Sequence, residues 1–382
     1  MNDDIINYLS VSDLEIKDIE EYLSINTQEL TDILEQINII ININKSASKL
    51  ARGIILEIEN DSCIKIIYPN ELYYFIAKLD CSTTLEAGTQ IYLDYMFLTK
   101  LTKYYDTNFY IFRFNNKYYL KLLTGDLELL NPELLESEKK KIENNYNIRG
   151  LEHTYKVGDM RNKLKSLHAI TCFEIEENRK FINCNNNILT FKSPLLSAKS
   201  EFTFLDTIID YKLLNYLLYL CDVSLADDDI EMYNVDYTII PKYAIKYKDS
   251  YLISNYPMSN SNARVNNIFE DLPQFTIIDY ANLKYKLEYV DSITYAKGIV
   301  TFINRDNKLI GKIKLNNNSD SEIEIPTLSE LHLKQNQQIK VNYKTLLVAL
   351  SALDSSLETY FGLKDGLLYI INSDISLALA TF

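Results

Sequence analysis

One thirteen-residue pattern occurs three times in this chain, and repetition of that kind restricts the fold more than any other feature of the sequence. Residues 94–106 read DYMFLTKLTKYYD, residues 210–222 read DYKLLNYLLYLCD, and residues 342–354 read NYKTLLVALSALD. Each copy opens on Asp or Asn followed by Tyr. Each carries Leu three residues after the Tyr and an Asp twelve residues after the opening residue. A short polar side chain in first place accepts hydrogen bonds from the free N–H groups of a first helical turn. Each copy therefore predicts a capped amphipathic helix. Leu93, Ile209 and Val341 precede the caps, as the last residues of strands would. The copies start 116 and 132 residues apart, a spacing the size of a domain.

A second family of helices lies upstream of each copy. Leu30, Leu34 and Ile37 form an i, i+4, i+7 stripe in NTQELTDILEQINII. Met160, Leu164 and Leu167 repeat it in DMRNKLKSLHAI, and Leu283, Leu287 and Val290 in DYANLKYKLEYV. Such a stripe buries one helix face. Asn26, Asp159 and Asp279 stand where caps are expected. Between the two helices, strand-like runs are ARGIILEIEND and CIKIIYPN in the first unit, and KFINCNNNILTFK and SEFTFLDTII in the second. The third unit has AKGIVTFINRDNKLIGKIKL and EIEIP. After the second helix come NFYIFRFNNKYYLKLL, then DIEMYNVDYTIIPKYAIKY with SYLIS, then LETYFGLKDGLLYII with SLALATF. Asn-Asn and Lys-Asp-Gly breaks mark antiparallel hairpins. Each unit reads helix, strands, helix, strands. Polar stretches at 131–150 and 255–273 separate the units. The predicted organisation is an acidic extension at 1–21, units at 22–135, 151–256 and 274–382, and linkers at 136–150 and 257–273.

Charge bears on partners. The net charge is −14, whereas a tight nucleic-acid binder shows a basic footprint. One face can still be basic while the rest is acidic. Cys63, Cys81, Cys172, Cys184 and Cys221 form no CxxC, which predicts free, mostly buried thiols in a reducing compartment. The opening MNDDIINYLSVSDLE lacks the basic region of a signal peptide. No apolar run approaches the roughly 18 residues that span a bilayer. A soluble, cytoplasmic protein without membrane contact is expected.

Catalytic patterns are missing from the sequence. His153, His168 and His332 stand apart from one another, and none has the i, i+4 His partner of a metalloprotease helix. There is no GxxxxGK[ST] and no GxGxxG to cradle a nucleotide. Asp227-Asp228-Asp229 reads as a solvated turn rather than a cation site. The thirty tyrosines are spread through helices and strands, which suits core and interface packing better than base stacking. Neither enzymatic activity, a metal nor a cofactor is expected.

With its threefold unit, and with YLSINTQELTDILEQI, SKLARGIILEIENDSCIKI and QIKVNYKTLLVALSALDSSLETYFGLKDGLLYI as the best segments, the chain resembles the bacterial β-type DNA sliding clamp over residues 22–382. That family is the β subunit-like processivity factor of DNA polymerase III. The resemblance implies an α+β chain of three clamp domains, each with two helices packed on antiparallel sheets. Two chains would close head-to-tail into a six-domain ring whose helices line the hole. It implies double-stranded DNA held topologically and without sequence preference. It further implies a tethered DNA polymerase, other replication clients, and an ATP-dependent clamp loader. Weak phosphate attraction would let such a ring slide, since strong contacts would stop it.

On this resemblance the DNA-facing residues are Lys49 and Arg52 before the first long strand, and Arg161, Lys163, Lys165, Lys284 and Lys286 on the upstream helices. Lys100, Lys103, Lys212 and Lys344 on the repeated helices complete the set. The first helix, TQELTDILEQ, departs from it by being acidic. The family's client-peptide pocket maps to Leu195, Leu196, Pro257, Leu379 and Phe382. Cellular clamps carry an Asp-Gly-His-Arg-Leu-type stretch there, and this chain reads SPLLSAKS. The departures and the AT-rich style of composition point to a phage or mobile-element version. The alternative reading is a non-enzymatic structural or scaffold protein of repeated α+β domains.

Overall fold

Short polar caps start the helices where the sequence places most of them. In a computed structural model of the chain, Asn26 Oδ1 accepts from the N–H groups of Gln28 at 2.9 Å and Glu29 at 3.2 Å. Asp94 does the same for Met96 and Phe97, Asp210 for Leu213, Asn342 for Thr345, and Asp279 for Asn282. Asp159 is a correction. Its helix begins two residues earlier, at Val157, and Asp159 sits inside the first turn. No side-chain cap is needed there, because Val157 and Gly158 donate to the carbonyls of Asp228 and Ala226 at 3.1 and 3.0 Å.

The structure describes residues 21–41, 53–69, 72–114, 117–124, 127–130, 147–172, 174, 180–202, 204, 207–236, 242–254, 267–294, 298–314, 320–354 and 356–382. Lys49, Arg52, Pro257, the extension before residue 21 and most of both linkers lie outside them.

The first repeat runs β1 (Glu21–Asn26), α1 (Thr27–Ile40), β2 (Gly53–Asn60), β3 (Cys63–Pro69), β4 (Tyr73–Thr83), β5 (Gln90–Asp94), α2 (Tyr95–Tyr104), β6 (Asn108–Phe114), β7 (Lys117–Lys121) and β8 (Leu127–Leu130). The second runs β9 (Asn147–Lys156), α3 (Val157–Cys172), β10 (Phe181–Asn185), β11 (Ile188–Lys192), β12 (Leu196–Glu201), β13 (Thr207–Asp210), α4 (Tyr211–Val223), β14 (Asp229–Asp236), β15 (Lys242–Tyr247) and β16 (Ser250–Ser254). The third runs β17 (Thr276–Ile278), α5 (Tyr280–Thr294), β18 (Ile299–Arg305), β19 (Lys308–Lys314), β20 (Asp320–Ile325), β21 (Gln338–Asn342), α6 (Tyr343–Ser351), β22 (Thr359–Lys364), β23 (Leu367–Ile371) and β24 (Ser376–Ala380). Among the described residues each repeat is thus strand, helix, four strands, helix, three strands.

Hairpin turns follow their chemistry. Asn186-Asn187, Asp306-Asn307 and Asp365-Gly366 all take positive φ, between 48° and 74°. Asn, Asp and Gly tolerate that region best.

The sheets do not respect the repeats. The chain divides into two compact units, residues 1–154 with 230–255 and residues 155–229 with 256–382. In the first, one twelve-stranded sheet runs β8-β7-β6-β1-β4-β16-β15-β14-β9, with β3, β2 and β5 branching from β4. The two repeats join where β4 meets β16, with Phe75 opposite Leu252 and Ile76 opposite Tyr251. In the second unit an eight-stranded sheet runs β13-β10-β11-β12-β24-β23-β22-β17, beside a four-stranded sheet β20-β19-β18-β21. Here the join is β12 with β24, Leu196 opposite Leu379. Each join pairs the third middle strand of one repeat with the last strand of the next. The pattern leaves two such strands as open sheet ends, β8 in the first unit and β20 in the second.

Apolar stripes fill the core as the periodicity predicts. Leu30, Leu34, Ile37, Met160, Leu164, Leu167, Leu283 and Leu287 are all buried. Buried tyrosines add polar ties between paired helices. Tyr280 of α5 donates its hydroxyl to the Leu350 carbonyl of α6, and Tyr343 of α6 donates to the Leu287 carbonyl of α5. Burial pushes the Tyr280 hydroxyl up to about 12, so it stays a donor. The connector at 257–273 is not all solvated linker: Phe269 is buried against Tyr369 and Ala378. Gly362 lets the next residues lie flat on β22, where a Cβ would come within 2.7 Å of Pro273. No described helix is long and apolar enough to cross a membrane.

Candidate nucleic-acid interface and partner surface

The helices come in packed pairs, α1 with α2, α3 with α4, and α5 with α6, and α3 also touches α6. Each buries its stripe on the sheets, so its charged residues fall on the solvent side. On α1 that side carries Glu29, Asp32 and Glu35. On α2 it carries Lys100 and Lys103, which make no ion pair among the described residues. The two helices flank a groove of about 450 Å³ lined by Glu35, Leu34, Met96, Thr99 and Lys103 among others.

The second repeat distributes its cations differently. Arg161 donates through Nε to the Cys221 carbonyl at 3.1 Å and through Nη2 to the carbonyls of Cys221 and Ser224. One carbonyl belongs to the last turn of α4 and the other to the Ser224 cap that follows it, where no intrahelical N–H reaches, so Arg161 closes that helix end. Replacing it with Ala should lower stability by about 2 kcal/mol, the cost of stranding half-buried acceptors. A denaturant titration that finds Arg161→Ala as stable as the parent would rule this role out. Lys163 donates to the Glu201 carbonyl at 2.8 Å and lies 5.5 Å from the Phe202 ring centre. Lys165 is exposed and 3.7 Å from an equally exposed Asp222. Such a pair contributes little and leaves the ammonium available. Lys212 is half-buried and engaged within the chain.

On α5, Lys286 donates to the Glu324 carbonyl at 2.6 Å. Lys284 pairs with Glu288 at 4.0 Å and sits 5.9 Å from the Tyr280 ring. Lys344 of α6 is exposed without an ion pair among the described residues. Of the lysines and arginines marked from sequence and described, Lys100, Lys103, Lys165 and Lys344 are thus the outward cations. Arg161, Lys163 and Lys286 are spent on backbone carbonyls, Lys212 is engaged within the chain, and Lys284 is half-buried beside the Tyr280 ring. Sequence reading does not single out two exposed rings beside them, Tyr285 and Tyr289. They stack 6.5 Å apart at 24° on the outer side of α5. Their i, i+4 spacing off the leucine stripe was the available signal.

The proposed client-pocket residues divide too. Leu196 and Leu379 are interior, 1% and 0% exposed, as opposed residues in the β12–β24 join. Leu195 is half-buried, and its carbonyl accepts from Ala380 at 3.0 Å. Phe382 is 65% exposed, its N–H donated to the Lys340 carbonyl at 2.9 Å. Leu195 and Phe382 are thus the accessible members of the described set.

Lys156 holds the aspartate turn, pairing with Asp229 at 2.8 Å and donating to the Asp227 carbonyl at 2.9 Å. No cluster of three or more His, Cys, Asp or Glu suited to a metal occurs among the described residues.

No protein-family model matches the chain, and no curated protein matches it in sequence. Solved structures match its fold over 94–95% of the chain. The DNA polymerase sliding clamp from Caulobacter crescentus aligns with TM-score 0.74 at 10% identity, covering 94% of this chain and 99% of that one. The DNA polymerase III beta chain from Streptococcus pneumoniae aligns with TM-score 0.70 at 12% identity, covering 95% and 99%. The DNA polymerase III subunit beta from Borrelia burgdorferi aligns with TM-score 0.70 at 13% identity, covering 94% and 98%. The chain has the sliding-clamp fold.

Proposed function

We propose that the protein is a non-enzymatic DNA sliding clamp. It encircles duplex DNA and tethers a DNA polymerase and other replication clients. The observation that carries this reading is the pair of open strands. Repeats join by laying the third middle strand of one against the last strand of the next, and β20 and β8 are the two ends left over. A head-to-tail partner would supply β8 for β20 and β20 for β8, and on the sliding-clamp resemblance two such contacts close a ring where an unclosed rotation would give a filament. On the sliding-clamp resemblance two chains make the ring, with domains at 22–135, 151–256 and 274–382.

Lys100, Lys103, Lys165 and Lys344 supply the weak, sequence-independent attraction to phosphates. The net charge of −14 keeps DNA from adhering elsewhere. Leu195 and Phe382 mark where a hydrophobic client peptide docks. An ATP-dependent loader opens the ring, and the protein works in the cytoplasm.

Light scattering tests the closure directly. Purified protein is expected at twice 44.4 kDa, with a central hole in negative-stain images. Leu129 of β8 is 51% exposed on the open edge. Leu129→Lys places a charge on that edge strand and should give folded monomers. Compact monomers of the parent chain would instead favour a scaffold protein of repeated α+β domains.

A further inference from the structure

One side-chain cluster stands apart from the outward lysines and from the β12–β24 join. Cys172 ends α3, and its Sγ is 3.5 Å from Nε2 and 3.6 Å from Nδ1 of His168, one turn earlier. The same sulfur is 3.6 Å from the Tyr211 hydroxyl, at the start of α4. The His168 imidazole stacks on the Tyr211 ring, 5.5 Å between centres and 17° between planes. Lys180, just before β10, places its ammonium 5.0 Å from the centre of that ring. Cys172 is exposed, while His168, Tyr211 and Lys180 are half-buried.

This is the arrangement of an activated nucleophile: a thiol, a base within reach, and a third group that orients the base. Stacking fixes the imidazole plane, and the phenol is placed to donate to the sulfur. The Tyr211 hydroxyl is pushed up, first by its hydrogen bond to Cys172 and then by burial, which keeps it a donor. His168, Tyr211 and Lys180 are the titratable groups that meet the sulfur or its phenol partner among the described residues.

The other cysteines are built differently. Cys184 and Cys221 are buried, and Cys63 and Cys81 are half-buried. Burial pushes Cys81 and Cys221 up to about 11 and raises Cys63 as well. Such thiols offer little thiolate at neutral pH.

We infer that Cys172 is a modification site, a thiol that exchanges with small soluble disulfides, with His168 as its base and Tyr211 as a positioning residue. His168 takes the thiol proton. The thiolate attacks one sulfur of the disulfide, a new S–S bond forms, and the old one breaks. The departing thiolate takes the proton back from the imidazolium, leaving Cys172 in a mixed disulfide and one free small thiol. A bulky group then stands on the outer end of α3. This chemistry does not depend on the clamp reading.

The probe is 5,5′-dithiobis(2-nitrobenzoate) added to the folded full-length chain at neutral pH. One equivalent of chromophore is expected in a fast phase, with the mixed disulfide located on the Cys172 peptide. Cys172→Ser removes the phase. His168→Gln slows it about tenfold and shifts its pH midpoint, which a merely structural residue would not do. Tyr211→Phe keeps the stack and slows the phase by a smaller factor. The native rate at Cys172 is also expected to exceed that of the urea-unfolded chain, a comparison that needs no variant. A fast phase on another cysteine, a native rate no higher than the unfolded one, or an unchanged rate in His168→Gln would overturn the assignment.

Discussion

Changing Lys100, Lys103, Lys165 and Lys344 together to Glu should weaken binding to duplex DNA by about 100-fold at ~0.1 M salt and flatten its salt dependence. The expectation rests on geometry, since these four point outward and hold no strong internal partner. Thermal stability should hardly move, because exposed charges contribute little to folding. Arg161→Ala should behave in the opposite way, losing stability while retaining DNA affinity. Fluorescence anisotropy on a labelled duplex, with a salt series for each variant, separates the two effects. A quadruple variant that binds like the parent would remove these helix faces from the DNA interface. Loss of affinity in Arg161→Ala without loss of stability would reverse the division made here.

The largest stability effect should come from the last strand. β24 lies between β12 and β23, so it holds together parts of the chain far apart in sequence. Leu377 and Leu379 are fully buried in it. Leu379→Ala should cost about 3 kcal/mol, as other large-to-small core changes do. Deleting residues 376–382 should cost the second unit its cooperative unfolding, because β12 loses its ladder partner and Leu196 its cover. Phe382→Ser, at the exposed tip of the same tail, should leave the melting temperature unchanged. Calorimetry on the three proteins checks the ordering. A truncated chain that melts like the parent would mean that β24 is an accessory strand.

Local chemistry made much of this legible beforehand. Asn26, Asp94, Asp210, Asp279 and Asn342 cap helices because cap and first turn are neighbours in sequence. The leucine stripes and the Asn-Asn and Asp-Gly turns are equally local. What stayed hidden is what depends on distant partners. β4, YYFIAKLDCST, lacks clean alternation because it is covered on both faces along its first half. β1 was masked by the acidic run before it, and β9 begins at Asn147, inside a stretch whose composition reads as linker.

The site divides along the same line. A Lys or Arg on a helix announces charge but not direction. Only the structure shows that Arg161 turns to the end of α4 and Lys286 to the Glu324 carbonyl. Leu196 and Leu379 are apolar for the sheet they complete, and nothing in either segment names the other. His168 and Cys172 are four residues apart and visible as a pair. Tyr211, which orients them, comes from the next helix.

The β12–β24 join also sets a timetable for synthesis. Lys199 leaves the ribosome long before its partner Ser376 is made. At roughly 5–20 residues per second, translation of the interval takes on the order of ten seconds or more. Throughout it the nascent chain carries β12 as a bare edge, the kind of template on which chains aggregate. Completion of the second unit therefore waits for β24 to be made. A polypeptide released before β24 is made would be an open-edged species, and one for chaperones or proteases to find.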